Sequence, residues 1–387
     1  MNGKKSEFHD KGLGDFPFPV PDYRFDQKNE MFKRRTWDGE IKPHGDRLYN
    51  TIRYQDKYGY RKLDYALRNA AWNIEYSFAF GNMRSDIGLY SWSDIADKIK
   101  RFVETNGPVQ HSPGVNSRIV KKAARFLGAD LVGICKVHPN LVYSHEYDLI
   151  NMEHRPIELP QGCHHAVVMA VEMDYDATRY SPDAIAGAAT GMGYSRQAIV
   201  ANLLATFIRG LGYRAIPSGN DTALSIPLAM AAGLGELGRM GLLVTEKYGP
   251  RVRLCKVFTD LPLEPDTFRP FGVKEFCQAC KKCAKNCPSR AIAFGPPTMK
   301  GPSLSNFSGV MKWYINPEKC FLFWVKNWMD CDNCVKVCPF NKPQGKLHDF
   351  VRAVIRKMPI LSRPIVWIDD MLGYGSPVRR KNFWETT

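Results

Sequence analysis

Eight of the eleven cysteines fall into two groups in the last third of the chain, and each group closes on Cys-Pro. The first group is Cys277, Cys280, Cys283 and Cys287-Pro288, a C-x2-C-x2-C-x3-C-P run. The second, Cys320, Cys331, Cys334 and Cys338-Pro339, keeps C-x2-C-x3-C-P and takes its fourth thiol from farther upstream. A loop with the first spacing wraps three thiolates around one corner of a [4Fe–4S] cube and sends the fourth to a neighbouring cube. Two such runs predict two clusters held crosswise. Cys277, Cys280, Cys283 and Cys338 would hold one, and Cys287, Cys320, Cys331 and Cys334 the other. Zinc knuckles and disulfide frameworks also use paired cysteines, but four cysteines in so short a run closed by proline make a poor tetrahedral template. The chain therefore reads first as an electron-transfer protein.

With 387 residues the chain can bury a large core, and its 44% hydrophobic and 24% charged content is ordinary for a globular protein. No apolar run reaches the length of a membrane-spanning helix, and no secretory signal stands at the start. Arg34-Arg35 lacks the apolar segment that a twin-arginine signal carries behind it. The net charge of +15 suits acidic partners, nucleic acid among them, but the cations are scattered and their tight runs are short. A soluble basic surface is the simpler reading, and no nucleic-acid partner is expected. Cys135, Cys163 and Cys255 stand alone in apolar surroundings and read as small core residues.

Residues 1–117 are rich in aromatics, proline and charge, with little periodicity, and read as a segment that wraps a body. From 118 to 268 helical and strand patterns alternate. A helix is expected over Ser117–Leu127, strands over Leu131–Val137 and Ala166–Met173, and a helix over Arg196–Arg209. A short strand into a Ser-Gly-Asn turn (213–217), a small-residue helix (225–232) and strands over 242–245 and 254–259 complete the α/β layered core. The two-cluster unit spans 269–345, and a basic, aromatic tail fills 346–387. No strand-linked G-x-G-x-x-G and no P-loop is present; Gly191-Met192-Gly193 and Gly233-Leu234-Gly235 read as small residues for close packing.

The segments GMGYSRQA (191–198), LGYRAIPSGND (211–221), the stretch 232–266, the two cysteine groups and WIDDMLGYG (367–375) resemble the corrinoid- and iron–sulfur-dependent reductive dehalogenases. Epoxyqueuosine reductase, a tRNA-modifying enzyme, is the sister family. The resemblance implies an α+β fold, a nitroreductase-like corrinoid-binding core joined to a bacterial-ferredoxin-like two-cluster domain. It implies a cobalamin-type cofactor facing a small substrate pocket. It also implies a catalytic tyrosine at Tyr194, with Asn220 and Arg253 as polar companions and Arg251 as the rival for the arginine's place.

Replacing carbon–halogen by carbon–hydrogen takes two electrons and one proton. A phenol with an ordinary pKa of about 10 needs help to release that proton. An adjacent guanidinium stabilises the phenolate, and with the Asn220 amide it could hold the departing halide. Without the motif, Tyr194 reads as a structural tyrosine, Arg253 as half of an ion pair and Asn220 as a turn residue. None of the nine histidines lies in Asp-x-His-x-x-Gly, so a base-off corrinoid without a histidine ligand is expected. Between Cys320 and Cys331 the aromatics Phe321, Phe323, Trp324 and Trp328 either sheath a cluster or wall an apolar pocket. Trp324 is the residue the resemblance assigns to that wall, with Trp37, Tyr90 and Trp92 weaker candidates.

A respiratory member would carry an export signal and dock on a membrane anchor protein that links it to an electron donor. The expectation is a mature form without its signal, peripheral on the outer face of the cytoplasmic membrane; otherwise the protein is cytoplasmic. A homodimer is left open. Small chlorinated aliphatics are the expected substrates. Epoxyqueuosine reductase is the alternative, and a ferredoxin-like carrier without a substrate is a third reading.

Overall fold

The computed structural model describes residues 16–49, 54–79, 88–93, 96–376 and 383–385. Its centre is a four-stranded antiparallel sheet of β1 (Leu131–Lys136), β2 (His165–Glu172), β3 (Ala215–Ser218) and β4 (Val252–Thr259), in the order β1-β2-β4-β3. Strand β2 reads as an unbroken apolar run because both of its faces are buried. Ala166, Val168 and Ala170 enter one core layer, and Val167, Met169 and Val171 the other.

The helices that bear on the site are α1 (Lys62–Ile74), α2 (Pro113–Phe126), α3 (Ala184–Gly210), α4 (Ser225–Ala231), α5 (Val273–Cys280) and α6 (Pro317–Asn327). The second face of the sheet is covered by α2 and α3 through Val120, Ala124, Ala198, Ala201, Leu204 and Ile208. The first is covered by α4 through Leu228 and Ala229. This mixed helix and sheet core with an appended ferredoxin-like unit is the α+β organisation expected. The lone cysteines Cys135, Cys163 and Cys255 are all core residues.

Helix α3 starts at Ala184, three turns before the stripe that predicts Arg196–Arg209. Its first half, AIAGAATGMGYS, has no apolar stripe to detect because this half is buried almost all round. Asp183 caps it by accepting from the Ile185 and Ala186 N–H groups. Glycine is required here by neighbours rather than by φ. A Cβ at Gly191 would lie 2.2 Å from Trp72 Cδ1, and one at Gly193 would lie 2.8 Å from Arg253 Cγ. The glycines thus let α1 and β4 approach α3 closely.

The N-terminal region is more regular than its sequence suggests. Short helices form at Met31–Trp37 and Lys42–Tyr49, and α1 and Asp97–Asn106 are longer. Their periodicity is masked because aromatic and charged residues alternate on faces only half covered. In the cluster unit α5 packs Phe276 against Phe271, Phe340, Trp313 and Ile355. The tail helix Ser362–Met371 docks on the same unit, where Asp369 pairs with Lys282 (2.5 Å) and Lys342 (2.6 Å).

Candidate active site

Tyr194 sits in the middle of α3, half-buried, where β4, α1 and the turn after β3 meet. The Asn220 amide donates to its hydroxyl at 3.1 Å. The Arg253 guanidinium carbon lies 5.0 Å from the ring centroid, and Trp72 stacks on the ring at 5.0 Å with 22° between planes. Tyr194, Asn220 and Arg253, far apart in sequence, are therefore neighbours.

Their side-chain partners decide between the two arginines. Along β4, Arg253 precedes Cys255 and Val257 on the α3 side, while Leu254 and Phe258 enter the opposite layer. Arg251, 1% exposed, is fully committed elsewhere. It pairs with Glu172 and donates to Asn341 Oδ1 (2.9 Å) and to the Met173 carbonyl (2.7 Å). It ties the sheet to the cluster unit. Arg253 instead donates to Thr190 Oγ1 at 3.2 Å and lies 3.6 Å from Asp332. Burial works against its charge, but Tyr194, Asp332, Asp330 and Cys334 outweigh burial and hold it more firmly protonated than a free arginine.

Asn220 is presented by a turn that a buried lysine clamps. Lys256 Nζ donates to the carbonyls of Gly219 (2.5 Å) and Asp221 (2.8 Å) and to Ser225 Oγ (3.1 Å). Burial lowers its pKa to about 8, against the pull of Asp221, Cys255 and Glu30. Glu75, at the end of α1, shows the converse. Burial, helped by Asp221, raises it to about 8, so it is largely protonated at neutral pH. Its main-chain N–H donates to Ser195 Oγ at 3.4 Å, one residue past the tyrosine.

Beside this centre lie the thiols. Cys277, Cys280, Cys283 and Cys338 line one cavity, together with Arg239, Met240, Phe276 and Phe340. Burial pushes all four thiols up; neighbouring thiols of the group add to this for Cys280, Cys283 and Cys338, whereas Arg239 works against it at Cys277. Such thiols become thiolates only with a compensating metal, which is the chemistry an iron–sulfur cube supplies. Cys320 faces Cys287, and Cys331 and Cys334 face Cys320; burial and Asp332 raise Cys320, Cys331 and Cys334. This second group adjoins the Tyr194 centre, because Asp332, between Cys331 and Cys334, lies 3.6 Å from Arg253. The stitching runs through Asp332. Its carboxylate accepts from Thr190 Oγ1 (2.6 Å), its N–H donates to Ser181 Oγ (2.8 Å), and Lys336 reaches the Ser181 carbonyl (2.6 Å).

Three buried polar atoms without a hydrogen-bond partner sit on the elements that converge here: Glu75 Oε2, Gln197 Oε1 and Arg253 Nε. Buried orphans of this kind are what a bound group with amide side chains, such as a corrinoid, would satisfy. The residues present fit such a group.

Trp324 lies on α6, packed on Phe32 with centroids 5.5 Å apart; the ring stacked on Tyr194 is Trp72. Phe321 and Val325 bury against Met31 and Ile41, holding α6 to the N-terminal helices. Trp37 donates to the Lys28 carbonyl at 2.9 Å, Trp92 packs against the core layer of β2 and α4, and Tyr90 lies against Gly219 and Gln197. Thr190, Asp332, Trp72 and Glu75 were missed by sequence reasoning. Thr190 and Tyr194 share a helix face at i,i+4 spacing, which is a readable signal. Asp332 inside the second cysteine group is another. Trp72 and Glu75 leave none. On the surface His154 Nε2 lies 3.0 Å from both Asp26 oxygens and beside His145, a hydrogen-bonded contact that links the N-terminal segment to the 145–156 hairpin.

Comparison with known proteins places the chain among relatives. The 4Fe-4S dicluster domain family matches residues 276–342. A tetrachloroethene reductive dehalogenase of Desulfitobacterium hafniense is 36% identical over 386 residues, covering 83% of this chain and 69% of that protein. Among solved structures, a catabolic reductive dehalogenase superposes with a TM-score of 0.72 at 27% identity, over 91% of this chain and 46% of that one. This chain thus spans under half the length of that solved relative. Epoxyqueuosine reductase of Listeria monocytogenes matches more narrowly, at 31% identity over 125 residues and 32% of this chain. No helix among the described residues is long and apolar enough to cross a membrane.

Proposed function

We propose that this chain, which belongs to the reductive dehalogenase family, replaces a carbon-bound chlorine by hydrogen on small chlorinated ethenes during organohalide respiration. The observation that carries this reading is the Tyr194 hydroxyl, held 3.1 Å from the Asn220 amide and backed by the Arg253 guanidinium, beside the second thiol group. A base-off corrinoid would supply two-electron reducing power at the carbon–halogen bond, replenished by electrons arriving singly through the two [4Fe–4S] clusters. The sequence offers no Asp-x-His-x-x-Gly motif to ligate it.

The chain's own residues supply the rest. Tyr194 donates its hydroxyl proton to the carbon that loses halide. Arg253, fixed by Thr190 and Asp332, stabilises the tyrosinate left behind, and the Asn220 amide donates to the same oxygen. The halide leaves with the electron pair of the broken bond, so two electrons and one proton are consumed for each carbon–hydrogen bond formed. Trp72 and Trp324 offer apolar walls to a substrate with no hydrogen-bonding handles.

Cys277, Cys280, Cys283 and Cys338 would hold the outer cluster, and Cys287, Cys320, Cys331 and Cys334 the inner one. A membrane anchor protein and its electron donor would feed the outer cluster on the outer face of the cytoplasmic membrane. The test is anaerobic turnover of corrinoid-loaded enzyme with a reduced low-potential dye. Chloride release from tetrachloroethene, and none from loaded ferredoxin controls, is the expected result. Absence of both bound corrinoid and chloride release would overturn the assignment.

A further inference from the structure

The reading above leaves unexplained a buried cation beside the outer thiol group. We propose that Arg239 holds the outer [4Fe–4S] cluster at a higher reduction potential than its thiolates alone would give, making it the electron store of the pair. This rests on the dicluster assignment, which the family match over residues 276–342 carries independently of substrate.

Arg239 follows the short strand Glu236–Leu237 and lines the same cavity as Cys277, Cys280, Cys283 and Cys338. It is 2% exposed, one of the largest fully buried side chains. Its donors go to carbonyls alone: Nε to Cys277 (3.0 Å), and Nη1 to Ala293 (2.7 Å) and Gly295 (3.1 Å). The carbon of its guanidinium lies 4.3 Å from the Trp313 ring centroid. No carboxylate lies within ion-pair reach of it among the described residues.

Burying an unpaired guanidinium costs several kcal/mol even after relaxation. Carbonyl dipoles offset part of that; a four-thiolate cube, which carries net negative charge in both redox states, offsets the rest. The other buried cations nearby differ. Lys282 pairs with Asp369 and Asp370, and Lys342 with Asp369, so their charges are largely spent. Glu236, three residues before Arg239, makes no ion pair with it; its carboxylate accepts from the N–H groups of Phe271 (2.6 Å) and Val273 (3.1 Å).

The sign follows directly. Taking up an electron makes the cube one charge more negative, and a fixed cation in a low-dielectric wall favours that state. The oxidised and reduced cube differ by one electron, which the low-potential donor supplies. A raised outer potential keeps that cluster filled at a given donor potential, so a second electron is at hand when the two-electron reduction needs it. The alternative is that Arg239 only knits the Cys277 loop to the 293–295 loop.

An EPR-monitored redox titration of the intact protein separates these readings. In Arg239→Gln the outer-cluster midpoint should move to more negative potential while the inner-cluster midpoint stays in place; in Arg239→Lys it should stay near wild type. Equal shifts in the two variants, or no shift in Arg239→Gln at full iron content, would overturn the proposal. Should Arg239→Gln fail to hold its outer cluster, Asp369→Asn decides. Unmasking Lys282 and Lys342 should then raise the same midpoint, and an unmoved midpoint counts against electrostatic control. None of these readouts depends on dehalogenation, so failure of the substrate assignment would leave them unchanged.

Discussion

The two thiol groups live in opposite electrostatic company. Cys277, Cys280, Cys283 and Cys338 sit in an apolar nest of Phe276, Phe340, Met240 and Ile355, with Arg239 turned into their cavity and Lys282 close by. The second group is less deeply buried and has Asp332 within it, tied to Thr190 and facing Arg253. The outer group is thus wrapped by its own unit, whereas the inner one is stitched into the catalytic core. On the proposed reading, the order of electron flow would follow from which group is tied through Asp332 to Thr190 and Arg253, not from the two near-identical cysteine motifs.

The sharpest way to break this comparison is at the end of the path. Tyr194→Phe should lower dehalogenation by about two to four orders of magnitude, the usual worth of a positioned proton donor. Both cluster EPR signals should keep their midpoints, since the phenol touches neither cysteine group. A kcat that falls less than threefold would remove Tyr194 from the chemistry.

Asp332→Asn tests the stitching. It removes a buried charge from the inner group and weakens the hold on Thr190 and Arg253. The inner midpoint should rise and the outer one stay, the mirror image of the effect of Arg239→Gln. Loss of a charged hydrogen bond should also cost about 1–3 kcal/mol of stability by chemical denaturation. If the outer midpoint moves as far as the inner, the asymmetry is not electrostatic.

The smallest effect concerns Glu75. Burial raises its folded pKa to about 8, far above the ordinary carboxyl range. The fold therefore favours the protonated form. Stability from this group is present below about pH 4.5 and is lost progressively as pH rises through about 8. Glu75→Gln should flatten that loss, by a few kcal/mol at most, when unfolding is compared at pH 5 and pH 9. An unchanged slope would mean that the carboxyl is ionised in the folded protein.

Much of this molecule was legible in its sequence. The cysteine spacing pointed to two cubes, and the apolar run 166–173 to a strand buried on both sides. Motif matching named Tyr194, Asn220 and Arg253, and it favoured Arg253 over Arg251 without a physical reason. That reason is the set of partners that occupies Arg251, Glu172 and Asn341 among them, which only tertiary contacts fix. The first half of α3 was missed because small residues buried all round leave no stripe. The N-terminal helices were missed because half-covered aromatic and charged faces hide their period. Trp72 and Glu75 lie over a hundred residues from Tyr194, and no local pattern announces such a pair.

The glycines of α3 have a consequence for how this protein can change. Position 191 has no room for even one methyl group, and position 193 admits one only if Arg253 yields. Met192, between them, is 48% exposed. A saturation library over these three codons should therefore return nearly any amino acid at the middle one and almost nothing but the parent at its flanks. Evolution can repaint this stretch only from outside, because the register of its phenol is kept by missing atoms.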